Sequence, residues 1–218
     1  MLFLLLTFIG LRIFLGRFNP FYLQVIFDQL INTFIENKVG LSTQFLSEEV
    51  VAQLQNNVVQ LALNHNLKVA GTSNSTIVIN KEVRGDQIFW LDKMHNNPFE
   101  TEFLNLIDDF VLHLNSSCYT GITDYEFHYA LYGAGSFYSK HLDQFKNNDS
   151  RQYSMIFYLN HQWKTGDGGE LCIHHEDDSL QCIAPMAGTS VFFKSSELLH
   201  EVLLTHKPRM SITGWLKV

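Results

Sequence analysis

The chain has 218 residues, of which 46% are apolar and 17% charged. That is enough apolar mass for one well-packed core, which excludes a disordered polymer and fits one domain better than two. A formal net charge of −7 speaks against a nucleic-acid partner, because phosphate binding draws on clustered Lys and Arg.

Residues 1–27 are unusually apolar, but Arg12 and Arg17 interrupt the run and Asn19-Pro20 breaks it, short of the roughly 20 apolar residues a spanning helix needs. A basic leader and a small-residue cleavage site are both missing from it. Three readings fit: a helix touching a membrane surface, a helix packing on the core, and a start codon placed too far upstream. Residues 1–40 are therefore set apart as an apolar N-terminal segment, and 41–218 are read as one cytoplasmic domain. Cys118, Cys172 and Cys182 are odd in number and contain no CxxC pair. This predicts reduced thiols and no structural zinc site.

Helical periodicity dominates next. Ser47 is a cap for a helix carrying Val50, Val51, Leu54, Val58 and Leu61 on one face, with Glu48 and Glu49 at its positive end. Asn97-Pro98 opens a second helix, Glu100 stands where a capping box wants it, and Phe99, Phe103, Ile107, Phe110, Val111 and Leu114 form its stripe. After about residue 122 the period changes to two. Strands are expected over Tyr125–Tyr132, Tyr153–Asn160, Glu170–His175, Leu180–Ala184, Thr189–Lys194, Glu201–Thr205 and Arg209–Lys217, with Thr76–Val83 and Gln87–Leu91 as added edge strands. The fold class is then α+β: a double-stranded β-helix, or jelly roll, over about 122–218, backed by two or three N-terminal helices.

Of the ten histidines, His65, His95, His113 and His206 have polar or helical neighbours and read as surface or satisfied core residues. His174 and His175 are adjacent on a strand, so they face opposite sides and cannot easily share an ion. His141 and Asp143 differ, because side chains at i and i+2 of an extended segment point the same way. With a histidine from elsewhere they would make the two-His, one-carboxylate arrangement of non-haem iron(II) oxygenases, which leaves positions open on the metal. The polar stretch Lys140–Asp149 equally suits a plain surface loop. Downstream, His200 precedes an apolar strand, and Arg209, Ser211 and Thr213 share a face of the last one. A buried Arg there needs an anion, either a core carboxylate or the carboxylate of a ligand gripped by its planar fork.

Taken together these stretches resemble one family. Tyr132-Gly133-Ala134-Gly135-Ser136-Phe137-Tyr138-Ser139-Lys140-His141-Leu142-Asp143 is similar to the Tyr-x-x-Gly-x-x-Tyr-x-x-His-x-Asp signature of prolyl 4-hydroxylase-type oxygenases dependent on Fe(II) and 2-oxoglutarate. Ile156-Phe157-Tyr158-Leu159-Asn160, Trp163, Gly168-Gly169-Glu170-Leu171, His200-Glu201-Val202 and Arg209-Met210-Ser211-Ile212-Thr213-Gly214-Trp215 continue it in order. Arg84-Gly85-Asp86-Gln87-Ile88-Phe89-Trp90 resembles a stretch of the hypoxia-sensing prolyl hydroxylases and their bacterial relatives. The likeness covers roughly residues 80–217.

The resemblance implies iron on His141, Asp143 and His200, and the distal carboxylate of 2-oxoglutarate on Arg209 with a hydrogen bond from Tyr158. Tyr132 and Thr213 would lie near the co-substrate and iron. Trp163, Trp215 and Phe192-Phe193 are read as core. It further implies O₂ as co-substrate, ascorbate as reductant, release of succinate and CO₂, and hydroxylation of proline in a protein or peptide. Some bacterial relatives act on elongation factor Tu, which makes a translation factor one expected partner. Asp143 favours hydroxylation over halogenation, which would want a small residue there. Val83–Lys93 and Gln144–Arg151 are the segments placed to cover a macromolecular substrate. Two other readings stay open: a hydroxylase of a free amino acid or other small molecule, and a non-catalytic jelly-roll module that binds metal.

Overall fold

The computed structural model describes residues 20–71, 84–144 and 147–218. The expected edge strand Thr76–Val83 lies outside them, as does most of the apolar run 1–27. The described part of that run enters α1 (Pro20–Asn37), where Ile26, Phe27, Leu30 and Ile31 are buried in the same core as the other helices. Among the described residues no helix is long and apolar enough to cross a membrane.

Two further helices follow, α2 (Glu48–Leu63) and α3 (Pro98–Cys118). Both start where their caps predict. The Ser47 hydroxyl accepts from the Val50 amide, and the Asn97 side chain accepts from the amides of Phe99 and Glu100. The expected capping box is diverted, however. The Glu100 carboxylate is buried and takes hydrogen bonds from His95 Nδ1 (2.9 Å) and Asn57 Nδ2 (3.4 Å).

The strands are β1 (Val39–Ser42), β2 (Lys68–Val69), β3 (Asp86–Trp90), β4 (Asp124–Tyr132), β5 (Tyr138–His141), β6 (Arg151–Tyr158), β7 (Leu171–His174), β8 (Leu180–Ile183), β9 (Ser190–Lys194), β10 (Leu199–Val202) and β11 (Arg209–Lys217). They form a seven-stranded sheet ordered β1-β9-β6-β11-β4-β3-β2 and a four-stranded sheet ordered β5-β10-β7-β8. All strand pairs are antiparallel, as in a jelly roll backed by helices.

The period of two divides the large sheet's residues between two cores. Phe127, Tyr129, Met155, Phe157, Phe192 and Ile212 pack under the helices. Ala130, Tyr132, Ile156, Tyr158, Val191 and Phe193 face the small sheet. Gly214 belongs to this close packing: a Cβ there would come within 2.2 Å of the Phe127 ring.

Four expectations need correction. Of the segment Val83–Lys93, Val83 lies outside the described residues and 86–90 are strand, not loop, paired with β4. His200 lies inside β10, two residues earlier than the predicted strand, because Leu199–Val202 pairs with β7 on one side and β5 on the other. The strand β5 was missed, since Tyr138–His141 is too short and polar to show a period. Finally, Cys172 and Cys182 are not free thiols. They are direct cross-strand partners on β7 and β8 and form a disulfide, while Cys118 is free and exposed. Ten residues of separation hid a hairpin that brings the two together.

Candidate metal and co-substrate site

β5 and β10 pair so that His141 and His200 are direct register partners. Asp143 follows β5 by two residues. His141, Asp143 and His200 each offer one ligand atom, all within 4.8 Å of one another. His141 Nε2 lies 3.5 Å from Asp143 Oδ1, and His200 Nε2 lies 3.6 Å from Oδ2.

The backbone settles the tautomers. His141 Nδ1 is 2.7 Å from the Ser139 carbonyl and His200 Nδ1 is 2.9 Å from the Leu198 carbonyl. A carbonyl only accepts, so both Nδ1 atoms carry hydrogen and both Nε2 lone pairs converge on the carboxylate, which is how metal-ligating histidines are usually oriented. Phe193 packs its ring against His200, with centroids 5.0 Å apart, and Tyr138 stacks on His141 at 3.6 Å.

Asp143 is buried, and burial alone would push its carboxyl upward. The His200 and His141 imidazoles and the Ser154 hydroxyl outweigh this and hold it well below the usual carboxylate range. Burial lowers His200, against the pull of the Asp143 charge. The charge states of Asp143 and His200 thus suit a cation: an ionised carboxylate and a neutral ring nitrogen. Ser154 was not anticipated. Its hydroxyl donates to Asp143 Oδ2 at 2.7 Å and meets Ser195 Oγ at 2.9 Å. A polar residue in the inward series Ser154, Ile156, Tyr158 was the available signal. Ser154→Ala is expected to weaken iron binding by about ten- to a hundredfold, the usual scale for a hydrogen bond that orients a ligand. Titration of the apoprotein with Fe(II) under argon reads this out.

A cavity of about 590 Å³ is lined in part by His141, Asp143 and His200, within the range of small-molecule sites. Tyr132, Arg209 and Thr213 line it. Arg209 is almost fully buried, with Nε donating to the Gly169 carbonyl at 2.8 Å and Nη1 lying 3.5 Å from Ser211 Oγ. Gly169 has φ of +70° and sits against the Arg209 side chain, where a Cβ would lie 3.1 Å from its Cδ. The positive φ favours glycine here, and the close side chain adds to the cost of a Cβ. Among the described residues no carboxylate lies within ion-pair distance of Arg209, so the core Arg–Asp alternative is not what the structure shows.

Tyr158 lies behind Arg209, whose guanidinium carbon is 5.1 Å from its ring centroid and 4.9 Å from that of Tyr132. The Tyr158 hydroxyl is buried without a hydrogen-bond partner. Burial raises this phenol, and the nearby guanidinium moderates the rise. A buried cation without an anion beside an unpartnered hydroxyl is a costly arrangement that a ligand carboxylate would complete. The donor set at the triad and this cradle therefore fit Fe(II) and 2-oxoglutarate.

The remaining singled-out residues separate cleanly. His174 pairs with Glu201 and His175 with Gln181, each away from the triad. Trp163 and Trp215 are both buried, yet Trp215 also lines the cavity and so is not core alone. Its indole carries the Arg151 guanidinium at 3.3 Å, and Arg151 in turn grips Glu126 through Nε and Nη2. Arg84 and Asp86 form a two-pronged pair, both bonds 2.6 Å, at the cavity wall, with Arg84 over the Tyr138 ring.

Residues 127–217 match the model of the 2OG-Fe(II) oxygenase superfamily. The chain is 31% identical to the mouse prolyl hydroxylase EGLN3 over 179 residues, which is 78% of this chain and 74% of that protein. A crystal structure of a Pseudomonas putida prolyl-4-hydroxylase superposes with a TM-score of 0.82 at 30% identity, covering 88% of this chain and 100% of that one. A Trichoplax adhaerens prolyl hydroxylase, solved with a hypoxia-inducible-factor peptide fragment, superposes at 0.80 with 22% identity over 90% of each chain. The chain thus belongs to the 2OG-Fe(II) oxygenase superfamily as a prolyl-hydroxylase-like dioxygenase, one that works with Fe(2+), 2-oxoglutarate and O₂.

Proposed function

We propose that the protein hydroxylates a prolyl residue of a protein or peptide. In this reading His141, Asp143 and His200 hold the iron, and Arg209 with Tyr158 holds the distal carboxylate of 2-oxoglutarate. The observation that carries it is one cavity with His141, Asp143, His200 and Arg209 in its wall, Arg209 having no carboxylate partner among the described residues. The chemistry supplied with Fe(II) and 2-oxoglutarate bound is the reduction of O₂ that hydroxylates a C–H bond and leaves succinate and CO₂. The chain's own residues do the positioning. Both imidazoles are locked by backbone carbonyls, Ser154 fixes one carboxylate oxygen, and the buried guanidinium orients the co-substrate by its far end. The apolar walls at Ile156, Leu171 and Val202 exclude water around the reacting centre. Tyr132 and Thr213 line the same cavity, and ascorbate would serve to keep the iron reduced.

The relatives support the choice of substrate: the mouse protein is a prolyl hydroxylase, and the Trichoplax enzyme was solved with a peptide. A host proteome compared with and without the enzyme should gain a +16 Da mass on proline in few proteins. A translation factor such as elongation factor Tu is the first to inspect. Stoichiometric succinate must accompany that mass. Turnover of free proline or another small molecule in preference to every prolyl peptide would transfer the function to small-molecule hydroxylation. Absence of substrate-coupled succinate altogether would leave a metal-binding module.

A further inference from the structure

One cavity residue has no part in holding iron or 2-oxoglutarate. His128, on β4, is buried and lines the cavity. Its Nδ1 is sealed from solvent without a hydrogen-bond partner, and among the described residues Nε2 has none either. Two indoles pack against the ring and against each other: Trp90 has its centroid at 5.0 Å and Trp215 at 5.5 Å from it, and the two indoles are 6.5 Å apart. Burial pushes the imidazole down to about 4, so it is neutral at physiological pH and carries one hydrogen.

The environment indicates where that hydrogen sits. An unmet buried N–H is rarer and costlier than an unmet acceptor. The sealed Nδ1 is then the bare nitrogen, and Nε2, the ring's other nitrogen, is left as an N–H donor for whatever enters the cavity. The register gives its distance from the chemistry. Thr213 is flanked by Ile156 on β6 and by His128 on β4, and Ser154, which holds Asp143, lies one inward step along β6. Counted from Ser154, His128 is therefore two strands across and one step along, on the order of 12 Å between backbones.

We propose that His128 is a specificity-determining residue whose Nε2–H donates to a backbone carbonyl of the substrate peptide beside the target proline. This rests on the prolyl-peptide reading above. A carbonyl is the fitting partner because Nε2–H is a donor and a peptide backbone accepts only through its carbonyl oxygens, the prolyl residue included. The ring needs no conformational search, since Trp90 and Trp215 hold it, so the bond adds affinity at small entropic cost.

The test uses a library of proline-centred heptapeptides with the iron-loaded full-length enzyme and compares wild type with His128→Phe, His128→Leu and His128→Gln. Gln places an amide N–H near the position of Nε2, whereas Phe and Leu keep bulk without a donor. The expected result is a peptide KM raised about five- to tenfold in Phe and Leu, the scale of one hydrogen bond, largely restored in Gln, with KM for 2-oxoglutarate unmoved in all three. A Phe variant with the wild-type peptide KM overturns the assignment, and so does a Gln variant as impaired as Phe, which would make the residue packing. If wild type consumes 2-oxoglutarate but hydroxylates no peptide in the library, the prolyl-peptide reading itself falls, and His128 as its carbonyl donor falls with it.

Discussion

Replacing His141, Asp143 or His200 by alanine should abolish hydroxylation, with a loss of roughly 10³ or more, the scale on which members of one catalytic unit fail together. The three ligand atoms lie within 4.8 Å of one another, so removing one leaves a two-point site that cannot fix the metal's open positions. Double variants should be no worse than single ones, because the unit is already lost. Iron binding should weaken in parallel, read by anaerobic titration, and Asp143→Gly is the variant expected to keep the most metal while losing hydroxylation. The pH dependence has a definite sign. Asp143 is held below the ordinary carboxylate range and His200 below the ordinary imidazole value near 6.5. Both stay in their ligating forms from alkaline to mildly acidic pH, and the contribution of His200 should be lost only as acid protonates its imidazole. Wild-type activity in His141→Ala at saturating iron would remove the triad from the mechanism.

Arg209→Ala should act on 2-oxoglutarate and spare iron. Leaving a carboxylate buried without its charged partner costs on the order of 2–5 kcal/mol, which corresponds to about 30-fold to several thousandfold in the 2-oxoglutarate requirement. Arg209→Lys should recover only part, because the ammonium cannot both reach the Gly169 carbonyl, as Nε does at 2.8 Å, and present a fork to the ligand. The decisive comparison is the concentration dependence of 2-oxoglutarate turnover beside an iron titration of the same samples. Equal 2-oxoglutarate affinity in wild type and Arg209→Ala would show that the cradle lies elsewhere.

What could be read from the chain was whatever depends on near neighbours in sequence. The Ser47 and Asn97 caps, the α2 and α3 stripes and the bounds of β11 all follow from local periodicity, and the structure has them where the pattern put them. His141 and Asp143 share a side because backbone geometry alone makes i and i+2 neighbours. Arg209, Ser211 and Thr213 share a face for the same reason, and a guanidinium at an inward position of an apolar strand already required an anion.

Tertiary structure decided everything that depends on which strand lies beside which. His200 reaches His141 only because β10 pairs with β5 in that register, and a shift of one residue would have turned it to the other face. Ser154 reaches Asp143 across 11 residues of chain, and Cys172 meets Cys182 across 10. No local pattern encodes either contact, and the spacing of the cysteines pointed the other way. His128 is the clearest case. In sequence it is one of ten histidines, set in a strand whose neighbours are mostly apolar. Only burial beside Trp90 and Trp215 makes it a neutral, unpartnered ring in the wall of the cavity. Residue types and local periods determined which groups the chain had for binding a metal and a dicarboxylate. Strand register, fixed by burying the two faces of the large sheet at once, decided which of those groups meet.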